Sequence, residues 1–250
     1  MLGKLYVIGI GPGDPELMTL KAARTLNMVP CIFVPKGREE GSSLALSIVQ
    51  KELSLEGKEI VELHFPMIKT APHPNPLPRG EREVSQMREL DTKWNDAVRA
   101  IASILERGMD AAFITIGDPG IYSTFFYLYD KLLEQKPSLV IEIVPGISSI
   151  NAAAARAGLY LGLGNERIAI LPANYLDSLE DTLAKFDTVV LMKVSKVFNT
   201  VRDLLNTMNR AAQATYVVRA GMDDEHVYKD INKVKEEDLN YFSLLIVRKR

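Results

Sequence analysis

The sequence predicts an α/β protein of two domains, and three observations predict it. Short apolar runs alternate with longer stretches of helical period along the chain, the pattern of a mostly parallel sheet covered by helices on both faces. Glycine-rich turns close three of the apolar runs and open the next helical stretch, at the edge where open α/β sheets receive ligands. The rhythm of the alternation then changes in the second half. These features place one domain at 1–119 and another at 120–250, meeting near Gly117-Asp118-Pro119-Gly120. With 250 residues, 47% of them hydrophobic, the chain is long enough for one large core or two modest ones.

The elements follow in order. Leu5 to Ile10 reads as a buried strand, Leu17 to Leu26 as a helix, Cys31 to Val34 as a strand, Ser42 to Leu53 as a helix and Ile60 to Phe65 as a strand. Asp91 to Arg107 gives the clearest helix, because Trp94, Ala97, Val98, Ile101, Ile104 and Leu105 share one stripe. Asp110 to Ile116 follows as a strand. In the second half, strands are expected at Val140–Val144, Arg167–Leu171, Thr188–Met192, Thr215–Arg219 and Phe242–Val247, with a short one at Val227–Asp230. Helices are expected at Ile121–Glu134, Ser149–Ala157, Leu176–Phe186 and Lys196–Met208.

One segment breaks the alternation. Pro72, Pro74, Pro76 and Pro78 exclude a helix and a central strand, and favour an exposed polyproline-like loop. The elements after it resume the pattern of the first domain. Residues 69–86 therefore read as an insertion within that domain, without a catalytic part.

Composition removes several function classes. The 30 basic and 32 acidic residues leave a net charge of -2, which gives no global attraction to nucleic acid or to an anionic membrane. No apolar stretch approaches the roughly 18 residues of a membrane span, and no secretory leader is read at the N-terminus. A cytoplasmic protein is expected. Cys31, the single cysteine, lies in an apolar run and reads as a buried structural thiol. His64, His73 and His226 are scattered and offer no ligand spacing, so no metal is expected. Trp94 reads as core and Arg248-Lys249-Arg250 as a solvated tail.

Three strand-to-helix turns carry the chemistry. Gly9-Ile10-Gly11-Pro12-Gly13-Asp14 lacks the Gly-Lys-Ser/Thr of a phosphate-binding loop. It is not the dinucleotide fingerprint either, because the next strand ends in Val34-Pro35-Lys36 without an acid, and Pro12 removes an N–H where a pyrophosphate needs donors. A donor-poor loop suits a ligand without phosphates, and S-adenosylmethionine, with a positive sulfonium and a flat adenosine, fits. Ile116-Gly117-Asp118-Pro119-Gly120-Ile121-Tyr122 sets an acid and a phenol beside exposed backbone. On a bland reading, Asp118 caps the next helix. Val144-Pro145-Gly146-Ile147-Ser148-Ser149 is the third turn, with a serine N-cap.

Together these strings resemble the motifs of the tetrapyrrole methylases. The first spans Gly9 to Ala22, the second Gly117 to Thr124 and the third Val144 to Ser149. Phe33–Lys36, Ser43–Ile48, Leu191–Lys193, Arg219–Met222 and Tyr241–Ser243 are similar to the branch that methylates precorrin-2 or cobalt-factor II at C20. The resemblance covers nearly the whole chain outside 69–86. Leu171-Pro172-Ala173-Asn174 departs from it, since the branch often has glycine there.

The resemblance implies a two-domain fold with S-adenosylmethionine in an inter-domain cleft. Pro12, Ile116, Gly117, Asp118, Ile121, Ser148, Ser149, Met192, Ala220 and Phe242 match the cofactor-contacting positions, many through backbone. It implies C-methylation of a reduced tetrapyrrole at C20 in cobalamin biosynthesis, by a homodimer. Asp118 and Tyr122 are then candidates to orient the macrocycle or accept its proton. Lys36, Arg38 and Lys193, at or just after strand ends, are candidates to bind the substrate's carboxylates. The alternatives are an RNA ribose methyltransferase, which calls for a basic or aromatic face, and a non-catalytic S-adenosylmethionine-sensing module.

Overall fold

A computed structural model describes residues 1–37, 43–65, 81–173 and 179–249, with backbone only for 81–89. The chain folds into two compact units. The first comprises 1–11 and 15–147, the second 12–14 and 148–250.

The first unit is built on a parallel sheet. Its strands are β1 (Leu5–Gly9), β2 (Cys31–Lys36), β3 (Glu59–His64), β4 (Ala111–Thr115) and β5 (Ile141–Val144), in the order β3-β2-β4-β1-β5. Every pairing is parallel. The period of two then sorts the core. Leu5, Val7, Phe33 and Phe113 face one side and pack with Val98, Ile101, Leu105, Phe125 and Leu128. Those partners come from α3 (Glu81–Glu106), α4 (Phe126–Gln135) and the residue before α4. Tyr6, Ile8, Ile32, Val34 and Ile114 face the other side with Ala22, Leu26, Ala45 and Ile48, from α1 (Leu20–Met28) and α2 (Leu44–Glu52). The central strands β1, β2 and β4, buried on both faces over most of their length, have no polar alternation to show, which is why they read as nearly unbroken apolar runs. Cys31 is fully buried among them, and burial pushes its thiol up to about 11.

The second unit carries a mixed sheet. Its strands are β6 (Ile168–Pro172), β7 (Thr188–Met192), β8 (Ala214–Val218), β9 (His226–Tyr228) and β10 (Ser243–Arg248), in the order β6-β7-β10-β8-β9. Only β6 and β7 run parallel; β10 lies antiparallel between β7 and β8, and β9 forms a hairpin with β8. Leu191, Tyr216, Leu245 and Val247 pack with Leu179 and Leu183 of α6 (Leu179–Lys185) and with Phe198, Val201 and Leu205 of α7 (Phe198–Thr207). Helix α5 (Ser149–Ala157) packs against β8 and β10, and its buried residues are Ile150 and four alanines, small enough for close approach.

Several expectations shift. Residues 141–144 pair with β1, so the division expected at 119/120 falls inside the first unit and the compact units part at 147/148. The helix expected at Ile121 starts at Phe126, because Tyr122 takes a positive φ of 54° that a right-handed helix excludes. Helix α3 begins at Glu81, not Asp91; residues 81–86 of the expected insertion are therefore helical, while 69–80 lie outside the described residues. The tail is not solvated at Arg248. This side chain is buried, donates from Nη2 to both carboxylate oxygens of Glu166 at 2.9 and 2.7 Å, donates from Nη1 to Thr188 Oγ1 and covers the Tyr160 ring. Trp94 does join the core margin, where it stacks on Tyr127 at 4.8 Å. Among the described residues no helix is long and apolar enough to cross a membrane.

Candidate active site

In the first unit the three turns converge because β4, β1 and β5 are sheet neighbours. Parallel strands put the ends of all three on one edge. Gly11 and Gly117 form an isolated bridge, with Gly117 N–H donating to the Gly11 carbonyl at 2.7 Å. A methyl on Gly9 would lie 2.6 Å from the Gly117 carbonyl oxygen and 2.8 Å from Gly146 N, and one on Gly146 would lie 2.3 Å from the same oxygen. The glycines are there because three backbones touch.

Asp118 ties this junction together. Its Oδ1 accepts the Gly120 N–H at 2.8 Å and its Oδ2 accepts the Gly146 N–H at 3.0 Å. It does not cap α4; one oxygen closes its own turn and the other holds the turn after β5. Ser123 takes the local role ahead of α4, with Oγ accepting the Phe125 N–H at 3.2 Å. Ile116 packs at the margin of the core formed with α1 and α2. Ile121 is partly buried, and its N–H donates to the Asp118 carbonyl. Tyr122 is 49% exposed, and its partial burial raises the phenol above its ordinary value.

The cationic candidates are less alike than the sequence suggests. Lys36 closes β2, and its ammonium pairs with Glu62 of β3 at 2.8 Å in a largely buried position. Lys193 follows β7 with φ of 57° and is exposed. Arg38 lies outside the described residues.

In the second unit the candidate positions gather at one edge of the mixed sheet. Leu244 pairs with Met192 and Ser243 with Val218, so the end of β7, the end of β8 and the start of β10 lie side by side. Met192, Ala220 and Phe242 sit there. The Arg219 N–H donates to the Phe242 carbonyl at 2.6 Å, while Ala220 is buried and Phe242 is 37% exposed. Pro12 joins them, since a methyl on Gly221 would meet Pro12 Cγ at 3.2 Å and Asp14 N at the same distance. Ser148 caps α5: its Oγ accepts the Asn151 N–H at 3.3 Å and donates to Asn151 Oδ1 at 2.6 Å. Ser149 opens that helix. Sequence reasoning missed Arg156 and Glu225, which contact this Gly221 region; an acid four residues after a glycine is too common a signal.

The model of the family Tetrapyrrole (Corrin/Porphyrin) Methylases matches residues 4–234. The chain belongs to the tetrapyrrole methylases. Among relatives of this tetrapyrrole methylase, the cobalt-precorrin-2 C(20)-methyltransferase of Salmonella typhimurium is 32% identical, across 100% of this chain and 98% of that protein. A protein of Methanocaldococcus jannaschii named as a probable cobalt-precorrin-2 C(20)-methyltransferase is 33% identical, across 100% and 97%. The fold matches the uroporphyrin-III C-methyltransferase of Thermus thermophilus crystallised with S-adenosyl homocysteine, with a TM-score of 0.60 at 21% identity, across 99% of this chain and 98% of that one. The α/β expectation and the family resemblance are borne out.

Proposed function

We propose that this methylase transfers the methyl group of S-adenosylmethionine to C20 of a reduced tetrapyrrole, precorrin-2 or its cobalt complex, in cobalamin biosynthesis. One observation carries the reading: the similarity to C20-methyltransferases runs the full length of both chains. The turns fit such a donor. Gly11, with φ of 84°, and Pro12, with no N–H, present a loop short of the donors a phosphate requires. A sulfonium requires none.

When bound, S-adenosylmethionine supplies a methyl already activated by its sulfonium. That methyl would pass to C20 with S-adenosylhomocysteine as the co-product, and the C20 proton would be released to solvent to restore conjugation. The protein's part is alignment and exclusion of water. On this reading Pro12, Ile116, Gly117, Ile121, Ser148, Ser149, Met192, Ala220 and Phe242 hold the donor. Asp118 maintains the turns, because each of its oxygens already accepts a backbone N–H. Tyr122, protonated at neutral pH, donates a hydrogen bond to the macrocycle and does not act as a base. Lys193, exposed just after β7, and Lys36, paired with Glu62 at the end of β2, are the cations for the substrate's carboxylates.

The test is anaerobic incubation with methyl-labelled S-adenosylmethionine and each tetrapyrrole, metal-free and cobalt-bound, with the label located by NMR. Label at C20 supports the reading; label at another carbon, or no transfer by protein that binds the donor, overturns it. A homodimer belongs to the same proposal, and a monomer mass by light scattering at micromolar concentration counts against it.

A further inference from the structure

We infer that Glu225 is a positioning residue for the cofactor loop around Ala220, and that Arg156 couples it to the first glycine turn. The inference rests on the reading above that Pro12 and Ala220 contact S-adenosylmethionine.

The loop after β8 is strained. Arg219 takes a positive φ of 56°, which is unfavourable for a non-glycine residue, and Gly221 takes one of 78°, which is open to glycine. Such a conformation persists only where its surroundings over-determine it. Three hydrogen bonds do so here. The Arg219 N–H donates to the Phe242 carbonyl at 2.6 Å, and the Met222 N–H to the Arg219 carbonyl at 2.9 Å. The third is the Gly221 N–H, which Glu225 Oε2 accepts at 2.6 Å. It is the only one of the three supplied by a side chain, and so the only one that substitution removes. Without it the Ala220–Gly221 peptide is free to reorient, and Ala220 moves with it.

The same carboxylate reaches further. Glu225 is mostly buried, and the Arg156 Nε of α5 lies 3.3 Å from its Oε2, while the Arg156 Nη2 lies 3.4 Å from Asp14 Oδ2. One guanidinium thus bridges the acid that sets the Ala220 loop and the acid that ends Pro12-Gly13-Asp14. The two loops also touch by backbone. A methyl on Gly13 would lie 2.9 Å from the Gly221 carbonyl oxygen and 2.6 Å from Met222 Cγ. A shift in either loop is therefore transmitted to the other, and Arg156 holds the register. Isolated pairs at this exposure contribute little to stability; the effect belongs to loop geometry and so to ligand affinity.

The experiment measures S-adenosylhomocysteine affinity by calorimetry, and KM for S-adenosylmethionine against kcat under anaerobic conditions, with melting curves to confirm folding. Glu225→Ala should weaken both affinity measures about tenfold, with the loss in KM and not in kcat. Glu225→Gln keeps an oxygen for the Gly221 N–H and should recover most of that loss. Arg156→Ala, at a half-exposed helix position, should cost several-fold in affinity, and adding it to Glu225→Ala should cost nothing more. If Glu225→Ala does not fold, Glu225→Gln and Arg156→Ala give the result: the inference then requires a several-fold loss for Arg156→Ala and a smaller one for Glu225→Gln. Wild-type affinity in Glu225→Ala or in Arg156→Ala, or fully additive losses, overturns the inference. A wild-type protein that binds no S-adenosylhomocysteine overturns the cofactor reading itself, a separate outcome.

Discussion

Each oxygen of the Asp118 carboxylate accepts one backbone N–H, and an isosteric amide cannot do the same. In Asp118→Asn one of those N–H groups faces an NH2, donor against donor. Hydrogen bonds to a charged acceptor contribute roughly 1.5–3 kcal/mol, so Asp118→Asn should lose about that much in urea unfolding. A residue that only capped a helix would tolerate the change, since asparagine caps as well as aspartate. The same junction predicts a steric failure. Gly146→Ala places a methyl 2.3 Å from the Gly117 carbonyl oxygen and 2.7 Å from Gly9, where both neighbours are backbone and neither can rotate away. Overpacking of this kind costs about 1–3 kcal/mol or more; the melting temperature should fall by several degrees, and donor binding should fall with it because all three turns move.

Helix α5 illustrates how an element is set by a few polar atoms. Ser148 exchanges hydrogen bonds with Asn151 across its first turn, and Gly158 ends it in the left-handed region with φ of 68°. Ser148→Ala should cost about 1 kcal/mol, read as a lower denaturation midpoint with an unchanged slope. The start of α4 shows the opposite case. The apolar pattern from Ile121 onward is helical in period, yet Tyr122 turns left-handed and the helix waits until Phe126. Periodicity records which faces are buried; it carries no information about a single φ imposed by a turn that must meet two neighbouring loops. Helix α3 begins at Glu81, ten residues before the start expected at Asp91, because backbone hydrogen bonding needs no apolar stripe to continue a helix.

At the scale of the molecule, charge placement contributes to how stability depends on acid pH. Glu142 on β5 is gripped by Lys4 and Lys21, and those hydrogen bonds hold its carboxyl at about 2, against an ordinary value of 4.5. A depressed folded value stabilises above the unfolded one and is lost as pH falls through the window between them. Wild type should therefore exceed Glu142→Gln in stability at pH 6 and converge with it toward pH 2, by thermal melts at low ionic strength, and added salt should shrink the gap. By itself the sequence determined the strands, the three glycine turns and the family. Apolar runs must be buried, and a turn where backbones meet must be glycine, so both are written in local residue types. Only the tertiary structure decided that residues 141–144 complete the first sheet, that Asp118 serves Gly146 28 positions away, and that Arg248 locks onto Glu166 82 positions away. Those partners are brought together by sheet order, and sheet order is chosen by the packing of two whole cores, which no local pattern specifies.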